Sequence, residues 1–228
     1  MRDILIDGLP ILDLLEVTPS TSNVATLANC DQSSVSRIYR HVSESLQLGF
    51  RKSNGTYRAH HNQELLASLR QATQLLRLQR GAEHLHWVGN WWNAPALAQL
   101  HDLTPLPRRW QGEQRTLELL NSRVLDLAVM DGRAFLPANA AVDGALTNLD
   151  HWSLAPLAHY PAGLRACLAD PADLGSAPAS SDGPEQPVSD VVVVSSEHAE
   201  RPAITALIAQ LRQAYRQSYG HLLAIHWP

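Results

Sequence analysis

The sequence predicts an α/β protein overall: an all-α N-terminal winged helix-turn-helix with a long linker helix, followed by a reduced Rossmann-like α/β body. Three observations predict it. Asn23–Arg37 (NVATLANCDQSSVSR) has the spacing of two short helices joined by a tight turn. The stretch from Asn62 to Arg80 carries apolar residues at steps of four and three, as one long helix would. From His84 onward, short apolar runs alternate with helical patterns, the signature of β-α-β units and a parallel sheet covered by helices.

Taken in order, Pro10–Val17 reads as a first helix, with Pro10 in its first turn and Ile11, Leu14 and Leu15 on one stripe. Thr18–Ser22 (TPSTS) supplies a turn and N-cap residues. The second helix runs from about Asn23 to Asn29. Ala25 is small where two helices cross, and Asn29 tolerates the left-handed dihedrals of the turn. The third starts near Gln32, packs through Val35 and Ile38, and is expected to stop at Leu48-Gly49. Arg51–Ala59 (RKSNGTYRA) holds an Asn54-Gly55 hairpin signal, giving a small wing. In the long helix, Leu65, Leu69, Ala72 and Leu76 form a heptad seam suited to pairing with a second copy, flanked by the polar residues Arg70, Gln74 and Arg77. The body is expected to place strands at His84–Val88, Leu106–Trp110, Val124–Met130, Val191–Val194 and Leu222–Ile225. Helices are expected at Ala94–Leu100, Gln114–Asn121 and Pro202–Tyr219, and a loop at Ser176–Pro187. The domains are then 1–60 (winged helix-turn-helix), 61–82 (linker helix) and 83–228 (α/β body).

With 228 residues, 45% of them hydrophobic, the chain can bury a substantial core and is not globally disordered. The net charge of −4 excludes a protein that is basic all over. The cations are local: Arg37, Arg40, Arg51, Lys52 and Arg58 face only Asp31 and Glu44 between residues 31 and 60. Asp170, Asp173, Asp182, Glu185, Asp190, Glu197 and Glu200 make the last third acidic. A basic head on an acidic body fits contact with a polyanion through one end. Two distant cysteines, Cys30 and Cys167, form no motif and suit a reducing compartment. No signal-peptide core and no membrane-spanning run is present, so the expected location is the cytoplasm, on the nucleoid, with no membrane partner.

The residues suited to duplex DNA follow from this layout. Gln32, Ser33, Ser34, Ser36 and Arg37 occupy the first two turns of the second helix of the pair, with Arg40 one turn on. Gln can meet adenine, and Arg guanine, with two hydrogen bonds each. Helical spacing puts Gln32, Ser33, Ser36 and either Arg37 or Arg40 on one side, with Val35 and Ile38 inward. Arg51, Lys52, Arg58 and the backbone around Ser22 suit phosphate, which sets register without reading sequence.

Other chemistry is sparse. His84 and His86 share a face as half a metal site, but no cysteine or carboxylate cluster completes it. Trp87, Trp91, Trp92 and Trp110 bunch in the first α/β units, either as core or as the lining of a pocket at the strand ends. In the second case Asn90, Trp91, Asn93, Trp110 and Gln111 are the ligand-binding candidates. No phosphate loop, GxSxG, HExxH or GxGxxG occurs, so no enzyme and no cofactor is expected.

The order of elements resembles the LysR-type transcriptional regulators. Gln32, Val35 and Ser36 match the Gln, Val and Ser of that family's reading helix. Val42–Phe50 (VSESLQLGF) is similar to the segment that follows it. Leu119–Val129 (LLNSRVLDLAV) is similar to the end of the first effector subdomain, and Leu154–Leu157 with His159–Pro161 to a later region. Val24 stands where the family has the first of two small alanines, and the second effector subdomain, about Val142–Ser189, is short. The resemblance implies a transcriptional regulator that binds double-stranded DNA and pairs with itself as a homodimer or tetramer. It implies a small-molecule effector in the α/β domain and contact with RNA polymerase. The alternative is a reduced effector domain that binds a partner protein instead of a metabolite.

Overall fold

The structure is a computed structural model and describes residues 4–100, 103, 105–106, 112–132, 151–161, 164–169 and 187–228. By internal contacts the chain forms two compact units. One comprises Met1–Arg77 with Pro107–Leu125, the other Leu78–Leu106 with Asp126–Pro228. The described residues 112–125 thus group with the N-terminal unit, whereas the sequence placed them in the α/β body.

In the first unit, a wide turn at Ile4–Gly8 leads into α1 (Leu9–Val17), which buries Leu9, Leu12 and Leu15 completely. Helix α2 (Thr21–Leu27) starts on Ser20, whose hydroxyl accepts from the Asn23 N–H. It ends at Asn29, in the left-handed region at φ 48°. There the Cys30 N–H reaches back to the Ala25 carbonyl, closing the helix end. Helix α3 (Gln32–Ser45) stops a few residues before the expected glycine. Gln47 takes the left-handed position that ends the helix, at φ 52°, and Gly49 two residues on is left-handed as well, at φ 56°. The Leu48 N–H bonds to the Ser43 carbonyl at 2.8 Å, and the Leu48 side chain is buried. Strands β1 (Arg51–Ser53) and β2 (Thr56–Arg58) form the hairpin, with Asn54 and Gly55 both at positive φ, as a type I′ turn requires. Val24, Val35, Val42 and Phe50 join the α1 leucines in one core, with Leu66 of α4 (Gln63–Arg80). Helix α6 (Gly112–Asn121) belongs to this unit and buries Leu119 and Leu120.

The second unit is built on a four-stranded sheet in the order β3-β4-β6-β5 (Trp87–Val88, Leu127–Asp131, Pro187–Ser195, Trp152–Pro161). The expected parallel sheet is only partly realised. β3 and β4 are parallel, but β6 runs antiparallel to both β4 and β5. An unbroken valine run, Val191–Val194, reports burial on both faces and carries no information on strand direction. β5 was not foreseen. Pro156 and Pro161 argue against a central strand, and β5 accommodates them as the sheet edge, with a register shift between Pro156 and Ala158. The expected strand at Leu222–Ile225 is a turn, and His226 alone pairs with His159. Of the expected strand Leu106–Trp110, only Leu106 is described. It is not part of the sheet, although its N–H reaches the Trp87 carbonyl at 2.7 Å. The rest, with Trp110 and Gln111, lies outside the described residues, as does nearly all of the expected loop Ser176–Pro187. Short helices α5 (Ala94–Leu97) and α7 (Leu164–Ala169) precede α8 (Pro202–Tyr219), which packs on β5 and α5 through Ile204, Leu207, Leu211 and Tyr215.

Candidate nucleic-acid interface

The α2–α3 pair sets the geometry of the first unit's exposed face. Asp31 caps α3, accepting from the Ser34 N–H at 2.7 Å, the Ser34 hydroxyl at 2.7 Å and the Ser33 hydroxyl. These hydrogen bonds, chiefly those of Ser33 and Ser34, hold the Asp31 carboxyl well below the usual carboxylate range, so the cap stays ionised. The Ser34 hydroxyl in turn accepts from the Arg37 guanidinium at 3.0 Å. Arg37 is therefore oriented by a short relay that begins at the cap. The Gln32 amide donates to the Thr21 hydroxyl at 2.8 Å, tying the leading end of α3 to the first turn of α2.

Exposure sorts the α3 candidates. Gln32, Ser33, Arg37 and Arg40 are exposed and Ser36 is half-buried, at helical positions that share one face. Val35 and Ser34 are buried, and Ile38 packs partly against the core. Ser34, one of the expected DNA-binding residues, is buried, and its hydroxyl is engaged with Asp31 and Arg37. Ser22 is exposed on the first turn of α2.

The wing is fastened by aromatic contacts that the sequence analysis did not single out. Phe50 and Tyr57 stack at 5.7 Å, and Tyr39 of α3 meets Tyr57 edge-on at 5.7 Å. Arg51 and Arg58 are direct cross-strand partners, and both are exposed. Like charges placed opposite one another repel unless an anion is nearby. Lys52 donates to the Pro19 carbonyl at 2.8 Å, so its ammonium is held against the α1–α2 turn. Arg58 meets a carboxylate: its guanidinium pairs with Glu118 of α6 at 2.6 Å.

Glu118 is the outer end of a ladder of alternating charge. Arg115 pairs with Glu118 at 2.9 Å and with Glu16 of α1 at 3.3 Å; Arg70 of α4 pairs with Glu16 and with Asp13, each at 2.8 Å. Arg115, and then more weakly Arg58, keep the Glu118 carboxyl below its ordinary value. Burial works against the Arg70 cation, yet Asp13 and Glu16 outweigh it and raise its pKa. Arg70 and Gln74 were expected on the polar flank of the pairing seam. They are 4% and 3% exposed, on the inner face of α4. The expected pairing residues lie largely outward: Leu65 and Leu76 are 42% and 44% exposed and Ala72 is exposed, while Leu69 packs partly on the unit's own core.

The expected ligand residues of the second unit divide. Trp91 is exposed, whereas Asn90 and Asn93 are buried. Neither polar atom of the Asn93 side chain has a hydrogen-bond partner among the described residues. Trp92 belongs to the core, its indole N–H donating to Asp190 at 3.0 Å. Tyr160 and Tyr215 donate to the same carboxylate at 2.9 Å each. Asp190 lies opposite Asp131 across β4 and β6, and Arg165 pairs with Asp131 at 2.9 Å while stacking over the Trp92 ring at 4.3 Å. Burial pushes the Asp190 carboxyl up to about 6, against the pull of its three donors and Arg165. Nothing in the local sequence marks this cluster, because its members come from five separated segments. His84 is exposed and sits loosely by Glu83 at 3.8 Å; no group of three or more metal-ligating side chains occurs among the described residues. No helix among them is long and apolar enough to cross a membrane.

No family model matches the chain, and no curated protein is similar to it. Several solved structures are. Full-length OxyR of Pseudomonas aeruginosa, a cysteine variant, is 11% identical over 95% of each chain with a TM-score of 0.49. A probable transcriptional regulator of the same organism is 16% identical over 93% of this chain and 97% of that one, with a TM-score of 0.44. LysG of Corynebacterium glutamicum with bound effector Arg is 12% identical over 95% of this chain and 99% of that one, with a TM-score of 0.42. At such identities no residue role carries over, and the assignment of function rests on this chain's own side chains.

Proposed function

We propose that the chain is a sequence-specific DNA-binding transcriptional regulator of LysR type. The observation that carries this reading is the division of α3. Gln32, Ser33, Ser36, Arg37 and Arg40 share one accessible face, while Val35 and Val42 hold the opposite face to the core. A helix so divided, with a hydrogen-bonded Arg near its leading end, can enter a major groove and read base edges. Arg51 and Lys52 on the adjoining wing, with Ser22, suit phosphate. The outward Leu65, Ala72 and Leu76 of α4, with Leu69 beside them, suit pairing with a second copy, which would present two reading helices to a two-fold site. In the second unit, the buried, unpartnered amide of Asn93 supports a small polar effector near the end of β3. Contact with RNA polymerase follows from the resemblance alone.

The test is recovery of genomic fragments on the purified protein, followed by gel shifts of the enriched sequence across a salt series. Retardation that is specific and weakens steeply with salt is the expected result. Binding that is absent, or indifferent to sequence, refutes the reading.

A further inference from the structure

We propose that Glu118 is a latch that competes with DNA phosphate for Arg58 of the wing, so that helix α6 sets how many wing cations the DNA meets. The proposal rests on the DNA-binding reading and goes beyond it.

Four observations carry it. Arg58 is committed to a carboxylate at 2.6 Å, although it lies on the strand that a wing lays along a phosphate backbone. The two side chains are 49% and 37% exposed, so the pair is screened by water and can open at small cost. Glu118 also keeps Arg115 at 2.9 Å, and Arg115 is braced by Glu16; the carboxylate is therefore not stranded when Arg58 departs. Between the wing and α6 lies an open cleft of about 700 Å³, bordered by Ser53, Thr56, His60 and Gln114 as well as the latch pair. It gives the long Arg58 side chain room to swing. An incoming phosphate offers Arg58 a partner with equal geometry and no prior claim on another cation.

The direction of control follows from chain order. In the chain, helix α6 follows α5 and precedes β4 of the sheet unit, and the ladder Glu118–Arg115–Glu16–Arg70 fixes its inner side to α1 and α4. With α6 seated, Arg58 is neutralised and DNA meets Arg51 and Lys52. With Glu118 withdrawn, DNA meets a third cation.

The experiment compares the full-length protein with Glu118→Gln, Arg58→Ala and the double variant on one operator fragment, across a salt series. Glu118→Gln should bind about 3- to 5-fold more tightly at low salt, and its log–log salt slope should steepen by about 0.9, one phosphate contact. Glu118→Ala should repeat the gain, with an unshifted melting curve as the check on folding. In the Arg58→Ala background, Glu118→Gln should change nothing. An equal gain in both backgrounds would mean that Glu118 merely repels DNA, and would overturn the latch. Unchanged affinity and slope in Glu118→Gln would overturn it too, leaving DNA binding intact. Absence of specific binding by every variant, wild type included, overturns both proposals together.

Discussion

Replacing Arg70 by Met tests whether the charge ladder holds the first unit together. Arg70, Asp13 and Glu16 are 4%, 2% and 5% exposed, and one guanidinium serves both carboxylates at 2.8 Å. Removing a single partner from a buried pair strands the opposite charge, which costs about 3–5 kcal/mol. Glu16 keeps Arg115 at 3.3 Å, but among the described residues Asp13 has no ion pair other than that with Arg70. The loss should therefore sit near the lower end of the range, about 3 kcal/mol. The assay is urea unfolding followed by far-UV circular dichroism, since this unit is mostly helical. A companion variant, Arg70→Met with Asp13→Leu, removes the stranded charge and should regain most of the stability. A single-variant loss under about 1 kcal/mol would show that the ladder is incidental.

Leu65→Glu with Leu76→Glu should halve the mass measured by light scattering while leaving the melting temperature nearly unchanged, because both side chains are more than 40% exposed; a wild type that is already monomeric removes the pairing proposal. Arg37→Ala should relax sequence preference, whereas Arg51→Ala should weaken all sequences alike; matching behaviour on a randomised operator pool contradicts the assigned roles. Asp190→Asn should flatten the stability profile between pH 4 and 7. The wild-type carboxyl, raised to about 6, burdens the folded state above that value and is relieved as pH falls toward 3.8, a span worth about 3 kcal/mol. A profile unchanged by the substitution would mean that Asp190 does not titrate in that window. Gly89→Ala should unfold the second unit at lower temperature, as a Cβ there collides with the Leu97 side chain; an unchanged melt would show that the loop after β3 gives way freely.

The helical head was legible because its signals are local. Caps, the Asn54-Gly55 turn and the periodicity of Gln63–Arg80 each act within a few residues, and the observed elements follow them closely. The body was less legible because strand direction and order are set by partners far along the chain. Val191–Val194 announces a buried strand, yet only its pairing with β4 and β5 shows that it runs against both. Polar residues misled in the same way. Hydrophobic patterning assigns Arg70 and Gln74 to solvent, and Asp13 reads as an interruption of an apolar stretch. Only the packing of α4 against α1 turns Arg70 and Asp13 into an interior ion pair. At the candidate interface, spacing separated Val35 from Gln32 and Arg37, but it could not see that Ser34 is consumed by the cap or that Arg58 has a carboxylate beside it.

The first unit is discontinuous, taking Met1–Arg77 from one stretch of chain and Pro107–Leu125 from another. A single cut after the long helix would leave Glu16 without Arg115 and the hairpin without its acidic neighbour. The helical head is therefore not a detachable cassette. Excised alone, it should be a weaker scaffold than the same residues in the intact chain, and grafting it onto a foreign body would require carrying α6 along as a separate insert.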